Sequence, residues 1–143
     1  MEGLENGIKV ITLDNPAGKN AMSHAFATEL SEAFDEVGSS EDARVAIIRS
    51  AVPKFFCAGA DLKERKGMNQ EAVENYVRWM RGHITKIDQC KVPVIACIDG
   101  WALGGGMEIA CAADMRVCSP RATLGLTETA LGIIPGAGGI HRI

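Results

Sequence analysis

Two apolar runs, Val45-Ala46-Ile47-Ile48 and Pro93-Val94-Ile95-Ala96-Cys97-Ile98, each lead into a glycine-bearing turn, Cys57-Ala58-Gly59-Ala60-Asp61 and Gly104-Gly105-Gly106-Met107-Glu108. Apolar runs of this length that stop at glycine read as buried strands. Glycine takes up backbone conformations other residues avoid and lets a main chain come close to a ligand. A fold containing both turns can aim two backbone N–H groups at one oxygen, the device that stabilises acyl-transfer and enolate intermediates.

Helices alternate with these strands. Ile8-Lys9-Val10-Ile11-Thr12-Leu13 reads as a strand ended by the turn Asp14-Asn15-Pro16. Ser23 is placed to cap a helix running to about Val37, with Phe26, Leu30, Phe34 and Val37 on one face and Gly38-Ser39-Ser40 stopping it. Asp61 to Lys66 is a polar run. Val73, Val77, Met80, Ile84 and Ile87 then mark a helix from about Asn69 to Gln89. A short apolar helix is expected over about Gly105 to Ala113, followed by strands at Met115–Cys118 and Ala122–Leu124 and a glycine-rich loop, 132–139. This alternation argues α/β organisation in one domain, residues 1–143, without tandem repeats. A loop followed by only four residues has no element to serve, which suggests an incomplete domain.

Composition removes several classes. With 47% hydrophobic and 23% charged residues the chain is an ordinary globular protein. A net charge of −3 gives no global basic field for nucleic acid or anionic lipid. Glycine makes up 16 of 143 residues, roughly 11% against the usual ~7%, and concentrates between Gly100 and Gly139. Cys57, Cys90, Cys97, Cys111 and Cys118 form no metal-like pair spacing and read as buried, reduced thiols. Residues 92–107 are interrupted by Pro93 and the glycines, so a buried strand-turn-helix fits them better than a membrane span. The acidic N-terminus, Met1-Glu2-Gly3-Leu4-Glu5, carries no targeting pattern, and the expected location is the mitochondrial matrix or the cytoplasm.

Two carboxylates lie where chemistry could use them. Glu108 follows the second glycine turn within an apolar stretch, and Glu128 precedes the last glycine-rich loop. Glu108 suits a first-turn residue offsetting the helix dipole, or a buried acid or base. Glu128 suits an ordinary loop carboxylate or the same catalytic use. Gly105 should sit at a helix start, where unpaired N–H groups favour developing negative charge, and the turn leaves room for a free N–H at Ala60. Either turn alone also fits an ordinary tight turn. His24, His83 and His141 have no metal spacing, so no metal site is expected. Ser50 and Ser119 lack a nucleophile elbow, and no dinucleotide or P-loop fingerprint occurs.

Four segments together resemble the enoyl-CoA hydratase/isomerase (crotonase) superfamily: Lys19-Asn20-Ala21-Met22, Phe56 to Glu64, Asp99 to Glu108, and Leu131 to Gly139. They run in family order over essentially the whole chain, and Gly59-Ala60-Asp61-Leu62-Lys63-Glu64-Arg65 is most similar to the methylglutaconyl-CoA hydratase (AU-binding) branch. The resemblance implies a spiral of ββα units, here the N-terminal catalytic core without the family's C-terminal helices, assembled in the whole protein as trimers or hexamers. It assigns an oxyanion hole to the N–H groups of Ala60 and Gly105, and the paired catalytic glutamates to Glu108 and Glu128. Coenzyme A, part of the substrate rather than a separate cofactor, would lie along Lys19, Ala21, Ala58, Ala60, Asp61, Leu62 and Gly105.

Isomerase members commonly keep only the glutamate matching Glu128, so Glu108 favours hydration of a 2-enoyl thioester. The branch also raises RNA binding, but the first helix carries Glu29, Glu32, Asp35 and Glu36 with no lysine, and RNA is not expected. Two departures stand out. Ile140-His141 replaces the family's usual Thr-Gln, and the strand that often precedes Ile8 is shortened.

Overall fold

A long strand, a short strand and a helix recur along the chain, and each long strand joins one sheet while each short strand joins another. The computed structural model describes residues 1–143, apart from the side chain of Glu5. The long strands are β2 (Ile8–Leu13), β3 (Val45–Ser50), β5 (Val94–Ile98) and β7 (Met115–Cys118). They run parallel in the order β2-β3-β5-β7, with the two-residue β1 (Glu2–Gly3) antiparallel on the outer edge of β2. Ile47 of the central β3 lies opposite both Val10 and Ile95. Ala46, Ile48, Val94 and Ala96 are fully buried, as parallel strands covered by helices require.

The short strands are β4 (Phe55–Cys57), β6 (Trp101–Leu103) and β8 (Thr123–Gly125), all parallel in the order β4-β6-β8. Helix α1 spans His24–Ser39, and the Ser23 hydroxyl accepts the Phe26 N–H at 3.1 Å to cap it. Its expected face, Phe26, Leu30, Phe34 and Val37, is buried. Each such side chain removed from water contributes about 1.5–3 kcal/mol. Helix α2 is one turn, Leu62–Arg65, and α3 runs from Gln70 to Asp88 under an Asn69 cap that accepts the Ala72 N–H at 2.8 Å. Helix α4 spans Gly105–Ala112, and α1 packs against α3. The ββα spiral is therefore β3-β4-α3, then β5-β6-α4, then β7-β8 with a 3₁₀ turn at Glu128–Leu131.

Three features differ from the sequence reading. Strands β4 and β6 carry no signal because three residues are too few for a period-two pattern. The polar run after Asp61 coils into α2, because the Asp61 carboxylate accepts the Lys63 N–H at 2.9 Å and caps it. The end of the glycine-rich loop is not featureless, since Gly139–Arg142 forms a four-residue helix, α5.

Asn20 ties the layers together. It is fully buried with a left-handed φ of 55°, a conformation asparagine tolerates better than most residues. Its amide donates to the Ser50 hydroxyl at 2.8 Å and the Phe56 carbonyl at 3.0 Å, and its Oδ1 accepts the Asn15 N–H at 2.7 Å. Asn20→Ala deletes three hydrogen bonds of a fully buried amide and should lower unfolding free energy by about 2–3 kcal/mol in urea titrations. An unchanged midpoint would contradict this role.

Candidate active site

The two glycine turns meet. Gly59 has a φ of 95°, and a Cβ placed there would lie 2.8 Å from the Leu103 carbonyl oxygen and 3.5 Å from the Gly105 nitrogen. A Cβ on Gly106 would run into the Cys57 carbonyl, and one on Gly105 would strike the Met22 methyl while lying 3.7 Å from the Ala60 nitrogen. Only glycine permits main chains this close. Gly105 is the first residue of α4, so its N–H has no intrahelical acceptor. Among the described residues neither the Ala60 N–H nor the Gly105 N–H finds an acceptor.

The Lys19–Met22 segment braces the first turn. The Met22 N–H donates to the Gly59 carbonyl at 2.7 Å, the Asp61 N–H to the Met22 carbonyl at 3.1 Å, and the Ala58 N–H to the Lys19 carbonyl at 3.2 Å. The Tyr76 hydroxyl donates to the same Met22 carbonyl at 3.1 Å, and burial, with the Glu64 charge adding to it, pushes the Tyr76 phenol up to about 12. Burial likewise holds the Cys57 thiol at about 12, so it is no nucleophile despite its position beside the turn.

A cavity of about 580 Å³ opens over the paired turns, within the range of small-molecule sites. Ala58, Ala60, Leu62, Gly105, Glu108 and Glu128 all line it. Lys19, Ala21 and Asp61 do not. The Lys19 amine lies over the Phe55 ring, 5.0 Å from its centroid, and Asp61 caps α2. The opposite wall comes from α3 through Val73, Tyr76, Val77 and Met80. Sequence periodicity correctly put Val73 and Val77 on the apolar face of α3, but that face serves the cavity at its N-terminal end and the core beyond it.

The two carboxylates occupy different surroundings. Glu108 is 3% exposed, and its Oε1 accepts the N–H groups of Ala137 at 2.8 Å and Gly139 at 2.9 Å. Those donors come from the glycine-rich loop, whose purpose sequence spacing did not reveal. Glu128 begins the 3₁₀ turn near Gly104, and its Oε2 is buried without a hydrogen-bond partner among the described residues. Burial, reinforced by the Glu108 charge, raises the Glu128 carboxyl above the ordinary glutamate range. His24, His83 and His141 remain outside the cavity; the His24 Nδ1 lies 2.8 Å from Glu64.

Parallel short strands that deliver two unpaired N–H groups and two unlike carboxylates to one cavity define a spiral α/β protein with a built site. The chain belongs to the enoyl-CoA hydratase/isomerase family, whose model matches residues 3–143. It is 48% identical over its full length to mouse methylglutaconyl-CoA hydratase, mitochondrial, covering 46% of that protein. It is 43% identical to mouse enoyl-CoA hydratase domain-containing protein 2, mitochondrial, again over the full chain and 48% of the relative. The crystal structure of an enoyl-CoA hydratase from Bacillus anthracis superposes with a TM-score of 0.90 at 45% identity, covering 95% of this chain and 53% of that one. The chain spans about half the length of the curated relatives it matches.

The raised Glu128 carboxyl has a consequence for stability. A carboxyl raised in the folded state stabilises the fold at pH below its unfolded value, and that contribution is lost as pH rises through the folded value. Glu128→Gln cannot ionise, so it should melt higher than the wild type at neutral pH, with the gap closing at pH below the ordinary glutamate range. Melting curves at several pH values check this. A constant difference across pH would contradict it.

Proposed function

We propose that this chain carries the site of an enoyl-CoA hydratase, adding water across the double bond of a 2-enoyl-CoA thioester. The observation that carries the reading is that Ala60, Gly105, Glu108 and Glu128 line one cavity. The N–H groups of Ala60 and Gly105 receive the thioester oxygen as it gains negative charge. Removing one such donor costs about 2.7–4 kcal/mol of barrier, so the turns matter as much as the carboxylates.

Glu108 takes a proton from water as its oxygen bonds to C3. Electrons shift onto the thioester oxygen, and Glu128 gives a proton to C2 as the enolate collapses. Burial of Glu128 favours the protonated form that this step requires. The two N–H donors on Oε1 of Glu108 fix that carboxylate while its other oxygen is available to water.

The pantetheine arm of coenzyme A would pass along Ala58, Ala60, Leu62 and Gly105. Ala21, Asp61 and Lys19 would lie toward the adenine and phosphate end. Fatty-acid or branched-chain amino-acid breakdown in the mitochondrial matrix is the setting suggested by relatives named as mitochondrial. A trimer or hexamer is the assembly proposed for the whole protein. Among the described residues no helix is long and apolar enough to cross a membrane. The 48% identity to a methylglutaconyl-CoA hydratase makes that branched acyl thioester the second substrate to assay.

Hydration of crotonyl-CoA, followed by loss of enoyl absorbance, tests the reading. Glu108→Gln and Glu128→Gln should each lower kcat by about 10²–10⁴-fold. Normal turnover by either variant would sink the assignment.

A further inference from the structure

The loop that holds Glu108 is itself held by two guanidinium groups. Arg81, on α3, donates from Nε to the Gly136 carbonyl at 2.8 Å. Arg142, on α5, donates from an NH1 nitrogen to the carbonyl of the next residue, Ala137, at 3.0 Å. The peptide N–H of that same Ala137 donates to Glu108. The second terminal nitrogen of Arg142 reaches Thr85 and Asp88 of α3, both at 3.4 Å. Loop 136–139 is thus clamped from α3 on one side and from α5 on the other, while its N–H groups face the Glu108 carboxylate.

Arg142 is unusually placed for a charged residue. Its side chain is 8% exposed, and its Nε is buried without a partner among the described residues. Burying a guanidinium with one nitrogen unsatisfied is costly. Gly138, at a φ of 115°, makes the placement possible, because a Cβ there would collide with the Arg142 guanidinium. The loop glycines therefore serve the arginine as well as the carboxylate.

The geometry points to Arg142 and Arg81 as positioning residues that hold Glu108 in register by fixing the carbonyls of Ala137 and Gly136. Arg142 lies outside the cavity, whereas Arg81 also lines its wall. Arg81 fixes the peptide unit, Gly136 carbonyl with Ala137 N–H, that donates to Glu108, and Arg142 fixes the adjoining unit through the Ala137 carbonyl, between the two donor residues. The catalytic meaning of the clamp rests on the hydratase reading above, whereas its structural content does not.

Amide hydrogen exchange on the full chain separates the two. In Arg142→Met the Ala137 and Gly139 amides should exchange about tenfold faster or more, while Ile48 and Ala96 in the central sheet keep the wild-type rate. Arg142→Lys, which can restore one donor, should recover part of the protection, and Arg81→Met should affect the same two amides. Uniform acceleration across the sheet would make Arg142 a general stabiliser and overturn the proposal. Unchanged exchange at Ala137 and Gly139 would also overturn it.

In the hydration assay, Arg142→Met should lower kcat by up to about 10²-fold with KM nearly constant, the signature of a misplaced catalytic group rather than lost binding. A loss confined to KM would overturn the positioning role. A wild-type chain that hydrates no crotonyl-CoA, with the exchange pattern as expected, would remove the hydratase reading and leave the clamp standing.

Discussion

The close approach of two main chains, Cys57–Ala60 and Leu103–Gly106, is the constraint on which the rest of the site depends. Side chains at Gly59 or Gly106 would meet the carbonyls of Leu103 and Cys57, so the turns nest only because both lack a Cβ there. Nesting brings two unpaired N–H groups toward one point, and it also fixes where α4 begins. With α4 starting at Gly105, Glu108 falls one turn later and faces the cavity rather than solvent. The two unpaired N–H groups and the first carboxylate are therefore set by the same backbone contact. The Met22 methyl under Gly105 and the Tyr76 hydroxyl on the Met22 carbonyl keep that contact from opening.

Two carboxylates in one cavity would repel if both were charged and unsupported. The fold divides the problem. Glu108 receives two backbone donors on one oxygen, compensation that a buried carboxylate needs. Glu128 has an unpartnered buried oxygen and responds by holding its proton more tightly. Unlike environments of this kind separate an acid from a base at a single working pH. The proposed hydration would need that separation, since water must lose one proton while C2 gains another.

Most of the long elements were legible in the sequence. Strands β2, β3 and β5 and helices α1 and α3 follow from apolar period, and the structure places the Ser23 cap as read, while Asn69, read as the approximate start of α3, turns out to cap it. The site was legible chiefly through its glycines and its isolated glutamates, and through the family motifs that unite them. What escaped lay in short or non-periodic segments. Of the three-residue strands β8 was legible, at 122–124, but β4 and β6 were not, and those two bring Ala60 and Gly105 together. The donors to Glu108 come from backbone of a loop 29 and 31 residues away, and no side-chain pattern encodes a main-chain N–H. Arg81 and Arg142 carry no sequence signal for the same reason, since their partners in the loop are carbonyls.

Repetition explains how residues so far apart in sequence reach one cavity. In each ββα unit the short strand runs in the same direction, and the chain leaves the sheet at its carboxyl end. Strand β4 ends at Cys57 just before Ala60, β6 at Leu103 just before Gly105, and β8 at Gly125 just before Glu128. Because the three strands are parallel neighbours, their carboxyl ends lie side by side, the edge at which parallel sheets commonly bind ligands. Each turn of the spiral thus adds one functional group to a common point: an N–H, a second N–H with Glu108 behind it, then a carboxylate. The loop after Glu128 closes the circuit by returning to Glu108 through Ala137 and Gly139. A change that shifts one short strand by a residue would therefore displace its own functional group and also remove the neighbour against which the next is aligned.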